Sequence, residues 1–220
     1  FIATCMSISR NPDTAGWEAL IAMLSSMNGL FLPILTAICV SRICDMEHKG
    51  NTWKLLLTLS VKRSKLYAAK YISASIIMLM ACFLQVFAIT VFGVINGFEQ
   101  PVPLFLLFRF LLGTVITNMI VIALQQWISM AVKNQAFALC LGMIGGFIGM
   151  TADLFPSGVR RIFVWSYYTG LSPITQSYTS EKIQFIIRDM SSLLPVMLML
   201  IVVGICIYLA GGVHVSRQEV

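Results

Sequence analysis

The sequence predicts an all-α, polytopic helical membrane protein, and three observations carry that prediction. Of its 220 residues, 58% are hydrophobic and only 11% charged, against about a quarter charged in soluble domains. The charges gather into patches that leave five charge-free runs, at 19–41, 71–98, 110–132, 134–152 and 190–213. Each run approaches or exceeds the roughly 20 residues with which a helix crosses a bilayer core. None alternates polar and apolar residues as a barrel strand does, which argues against a transmembrane barrel.

Taken in order, the first complete span is expected at 17–41, after a polar turn containing Asn11-Pro12-Asp13. Asn28, Gly29 and Pro33 lie near its centre. Proline removes a backbone donor, and a broken ladder leaves polar backbone that must face protein or water. These three residues are therefore the candidate cargo path. A basic segment follows at 42–68, and the stretch 42–70 holds seven of the fifteen Lys and Arg residues. Basic residues beside span ends are retained on the cytoplasmic side, so this segment sets the topology. Within it Leu55, Leu56, Leu57 and Leu59 form a short apolar run flanked by charge, which suits a helix lying at a surface.

The second span is expected at 69–95, ending in an exterior loop without Lys or Arg. The third, at 104–131, carries Arg109 near its outer end, where snorkelling to the interface is the expectation. Gln125 and Gln126, near its inner end, are expected to make polar contacts between helices or with headgroups. After the minimal turn Lys133-Asn134-Gln135, a fourth span at 136–152 carries Gly142, Gly145, Gly146 and Gly149. Small residues at that spacing allow helices to approach closely. The segment 153–192 is expected to be exterior or re-entrant. Its Phe163, Trp165, Tyr167 and Tyr168 are expected to mark the bilayer interface. The last span is placed at 193–212, with a cytoplasmic tail. Five complete spans put Phe1 outside, so a sixth span is expected to precede it.

The formal charge of +6 is topogenic rather than a nucleic-acid footprint, since no soluble stretch is long enough to present a basic face. No Gly-x-x-x-x-Gly-Lys-Ser/Thr, His-Glu-x-x-His or Gly-x-Ser-x-Gly pattern occurs. The six cysteines are scattered, without a Cys-x-x-Cys pair or zinc-ligand spacing. No catalytic or metal site is expected. A chain of spans without catalytic groups moves a substrate, anchors other proteins or binds a ligand; the basic insert favours movement driven by a partner.

The insert also resembles the permease subunits of type-2 ATP-binding-cassette exporters, most of all the lantibiotic-immunity permeases. The matching residues are Glu47, Asn51, Trp53, Lys54, Leu55, Leu56, Ser60, Val61, Arg63, Leu66 and Lys70. The resemblance implies six spans, a cytoplasmic coupling helix around 45–59 and re-entrant helices before the last span. It places Glu47, Asn51, Trp53, Lys54, Leu55, Leu56 and Leu59 against a separate ATPase subunit, in two copies, which holds the ATP and magnesium. A second permease, identical or related, completes the complex in a bacterial plasma membrane. The function implied is export of a lantibiotic or other membrane-active peptide or lipophilic compound. The rivals are the same machine with another cargo (peptide antibiotic, lipid or glycan) and a toxin-binding immunity or sensor protein that transports nothing.

Overall fold

The computed structural model describes residues 16–49, 63–98, 100–132, 134–179 and 182–217. Five main helices run antiparallel in chain order: α1 (Trp17–Lys49), α2 (Arg63–Ile95), α3 (Leu104–Ala131), α4 (Gln135–Met150) and, last in the chain, α7 (Met190–Arg217). Between α4 and α7 lie short turns of helix, including α5 (Ser157–Arg160) and α6 (Tyr167–Gly170), and an antiparallel hairpin of β1 (Ile174–Thr179) and β2 (Lys182–Ile187).

Helices α1, α2, α3 and α7 are long and apolar enough to cross a membrane. The expected fourth span is shorter. Helix α4 has 16 residues, about 24 Å at 1.5 Å per residue, against a hydrocarbon core of about 30 Å. It starts on Asn134, whose side chain accepts from the Ala136 N–H at 3.0 Å, a cap for an otherwise orphaned donor. The expected boundaries at 41 and 69 are also displaced. Helix α1 continues through the charged residues to Lys49, and α2 already begins at Arg63. Charge stops a bilayer-buried segment, but a helix carries it readily once outside hydrocarbon.

Helix α2 ends in a Schellman turn. Gly97 takes φ +62°; the Phe98 N–H donates to the Gly93 carbonyl and the Gly97 N–H to that of Val94, each at 3.2 Å. Only glycine enters the left-handed region there without a Cβ penalty.

Helix α3 is the axis of the bundle, packed on α1, α2 and α7. Helices α2 and α7 present Ile76, Met80, Leu84, Phe87, Leu198 and Val202 outward. Outward apolar faces on spanning helices have lipid as their solvent. The tightest seam joins α1 to α4, where the glycines recur at 142, 146 and 149. A Cβ on Gly146 would lie 2.6 Å from the Leu30 carbonyl oxygen, and one on Gly29 2.6 Å from that of Gly149. The seam is backbone against backbone, the contact that small residues permit.

The segment 153–192 contains short helical turns, as a re-entrant stretch would, but also the unexpected hairpin. It sits over the ends of α1 and α3, with Ile174 buried among Trp17, Leu20, Ile21 and Phe110. The aromatic group before it faces inward: Tyr167 and Tyr168 are buried, and Trp165 packs on Gly145. Tyr167 and Tyr168 are core residues and Phe163 and Trp165 half-buried, in place of the interface belt expected from their sequence position.

Candidate functional site

The two ends of the bundle differ in charge. At the end where α1 and α7 finish and α2 begins, the described residues include Arg42, Lys49, Arg63, Lys65, Lys70 and Arg217, against Asp45 and Glu47. At the hairpin end Arg109, Arg160, Arg161, Lys182 and Arg188 stand against Glu18, Asp153 and Asp189, a smaller excess. A seam of uncharged polar side chains, carried by α1, α2 and α3, runs from one end towards the other.

At the hairpin end the Ser25 and Ser172 hydroxyls meet at 2.8 Å, tying α1 to the stretch before β1. Arg109, expected to snorkel outward, is instead buried and donates to the Arg188 backbone carbonyl. The acceptor comes from 79 residues later, which no local reading of the helix end could supply. Arg188 in turn donates to the Gly170 carbonyl at 2.7 Å. Burial lowers the Arg188 pKa from its ordinary value, Arg160 adds to the lowering, and Asp153 opposes it. Arg160 pairs with Asp153 at 2.7 Å and donates to the Thr169 hydroxyl at 3.0 Å. The Trp17 indole donates to the Gln100 carbonyl at 3.0 Å, closing this end over the α2–α3 loop.

One layer deeper, Asn28 on α1 and Gln85 on α2 exchange two amide hydrogen bonds, at 2.7 and 3.1 Å. At mid-depth the Asn118 side-chain carbonyl on α3 accepts from Thr36 of α1 at 3.1 Å and from Tyr168 at 2.8 Å. Such interhelical bonds contribute about 0.6 kcal/mol each on average, up to about 1.7. Their larger effect is on register, because slipping either helix would strand a buried amide.

Towards the basic end the pairing thins. Gln125 donates to the Ala138 carbonyl at 2.6 Å and Gln126 to that of Tyr67 at 2.8 Å. The Gln126 carbonyl oxygen, the Tyr67 and Ser129 hydroxyls and the Ser41 hydroxyl are buried without a hydrogen-bond partner among the described residues. A buried polar atom left unpaired costs about 1–3 kcal/mol.

The sequence-predicted residues distribute unevenly over this seam. Asn28 belongs to it, but through Gln85. Gly29 and Pro33 are taken up by the seam with α4: Gly29 meets Gly149, and the Pro33 carbonyl oxygen lies 3.2 Å from where a Gly142 Cβ would stand. Glu47 falls in the last turn of α1. Asn51, Trp53, Lys54, Leu55, Leu56 and Leu59 lie outside the described residues, and the segment 42–68 is helical at both edges, within α1 up to Lys49 and within α2 from Arg63. Reading the sequence missed Gln85, Thr36 and Tyr168 as seam members. Single polar residues in charge-free runs were the available signal, but their partners lie 57, 82 and 50 residues away.

Residues 1–149 match the model of a family described as ABC-2 family transporter protein. The chain belongs to the ABC-2 transporter family. The match takes in α1 to α4, including the basic segment and most of the seam, and ends before the hairpin. A search of curated proteins finds no match. As an ABC-2 protein the chain is a multi-pass membrane permease subunit of an ABC transporter, associated with an ABC ATPase subunit and normally carrying no ATPase site of its own.

Proposed function

We propose that this ABC-2 permease exports a lantibiotic or another membrane-active peptide or lipophilic compound from a bacterial plasma membrane, giving immunity or resistance. ATP and magnesium are held by two copies of the partner ATPase, and a second permease, identical or related, completes the pathway. The basic end faces the cytoplasm, because basic residues at span ends are retained there. Residues Glu47, Asn51, Trp53, Lys54, Leu55, Leu56 and Leu59 receive the ATPase.

The observation that supports a moving rather than a static membrane protein is the uneven satisfaction of the seam. Among the described residues the hairpin end and middle are paired across helices apart from Arg109 Nε and the Trp165 indole N–H, while the basic end holds more orphaned polar atoms, on Ser41, Tyr67, Gln126, Ser129 and Gln135. Those atoms flank the two helix ends joined by the basic segment. A partner that moves this segment offers them a second packing. Transport of this kind requires two packings whose balance the partner's nucleotide state shifts.

The experiment is resistance conferred by the permease beside an ATPase partner stripped of its catalytic glutamate. Loss of protection against a lantibiotic panel is the expected result. Full protection in that strain would reject export in favour of passive toxin binding.

A further inference from the structure

An open groove of about 590 Å³ lies at the basic end between α3 and α7, lined by Trp127, Leu209, Ala210, Val213, His214 and Arg217. It plays no part in the polar seam. Its α7 residues are spaced so that they share one helix face, with Leu209 and Val213 exposed towards the span and His214 and Arg217 in the last turn. Trp127 comes from α3, its ring centre 6.3 Å from that of His214. From Leu209 to Arg217 the cavity extends about 12 Å along the helix.

We infer that this cavity binds an anionic phospholipid, its phosphate at Arg217 and His214 and its upper acyl chain along Leu209, Ala210 and Val213. Three features select that occupant. The one charged group, Arg217, is at one end only, with the His214 ring beside it, and basic pockets between spanning helices at a membrane face suit anionic headgroups. The other end is apolar and exposed on α7, which is largely unburied by its own bundle, so the ligand must be amphiphilic. Tryptophan is the side chain that settles at headgroup depth, which fixes the level of the membrane surface across the cavity. A protein docked from outside the membrane would meet Arg217 but could not follow the cavity about 12 Å into the span. The inference is independent of cargo and of transport direction. A lipid seated there would hold the end of α7 against α3, beside the unpaired Tyr67 and Gln126.

The test is native mass spectrometry of the full-length protein in detergent, titrated with phosphatidylglycerol or phosphatidylcholine of identical chains. The wild type should prefer phosphatidylglycerol. Arg217→Gln should reduce that preference about fivefold, the worth of one cation near a membrane surface, while Arg217→Lys retains it and shows that the charge rather than folding is responsible. Arg161→Gln, an exposed arginine at the hairpin end, should leave the preference intact. The inference is overturned if the wild type shows no preference, if Arg217→Gln keeps it, or if Arg161→Gln removes it equally. It is also overturned if Arg217→Gln releases the ATPase subunit with lipid preference unchanged, which would make the face a protein contact.

Discussion

The hairpin end and the basic end of the bundle are built from similar residue types and reach opposite outcomes. At the hairpin end, polar groups from α1, α3, α6 and the loop before α7 find each other, and a strand pair closes over them. At the basic end glutamine, serine and tyrosine are just as buried, but part of their hydrogen-bonding capacity is unused. Among the described residues the hairpin end leaves Arg109 Nε unpaired, and its near-complete satisfaction favours one arrangement, whereas the more numerous unused donors and acceptors of the basic end lower the cost of another. The comparison teaches where an ABC-2 permease of this design is anchored and where it can yield.

The comparison can be broken or sharpened by substitution. The largest effect is expected outside the polar network, at the α1–α4 seam. Gly29→Leu places a side chain against the Gly149 backbone, which cannot rotate away, and should cost about 3 kcal/mol, the upper end for overpacking. Recovery of monodisperse protein after detergent extraction measures it; normal yield and melting temperature would mean that the seam is looser than described. Next comes Asn118→Leu, which orphans the Thr36 and Tyr168 hydroxyls together and should cost about 1–3 kcal/mol. Gln126→Leu, at the basic end, removes one hydrogen bond but also one unpaired oxygen, so its cost should stay below about 1 kcal/mol. Equal losses of thermal stability for Asn118→Leu and Gln126→Leu would erase the contrast between the two ends. Tyr67→Phe should have the smallest effect, neutral or slightly stabilising, because the hydroxyl it removes has no partner among the described residues. A melting temperature well below wild type would reveal a bond to that hydroxyl.

How far this could be read from sequence depended on the range of the interaction. Charge-free runs located α2, α3 and α7, because hydrocarbon thickness dictates length directly. They misplaced the α1 and α2 ends, because a run stops at Arg42 or starts after Lys70 while the helix continues into water. The hairpin was missed for a related reason. Ile174-Thr-Gln-Ser-Tyr-Thr and Lys182-Ile-Gln-Phe-Ile-Ile carry β-branched and aromatic residues of strand type. The signal is only six residues per strand, in a segment judged by its position before a span. Asn28, Gln125 and Gln126 stood out as polar residues in apolar surroundings, and the helix-to-helix role expected for the glutamines fits their partners. Arg109 stood out too, but its inward role was not legible, since its acceptor is set by tertiary packing alone.

The central claim is that the basic end repacks with the nucleotide state of the ATPase while the hairpin end holds. Two pairs of spin labels on the same two helices test it, in the reconstituted complex with native cysteines replaced. One pair, Ala69 on α2 and Phe137 on α4, reports the basic end; the other, Val94 and Met150, reports the hairpin end, and all four positions are exposed. Between nucleotide-free and ATP-bound states, pulsed electron resonance should show the Ala69–Phe137 distance changing by about 2–5 Å, the range of helix shifts and one-turn ratchets, with the Val94–Met150 distance changing by less. A larger change at Val94–Met150, or no change at Ala69–Phe137, would contradict the account.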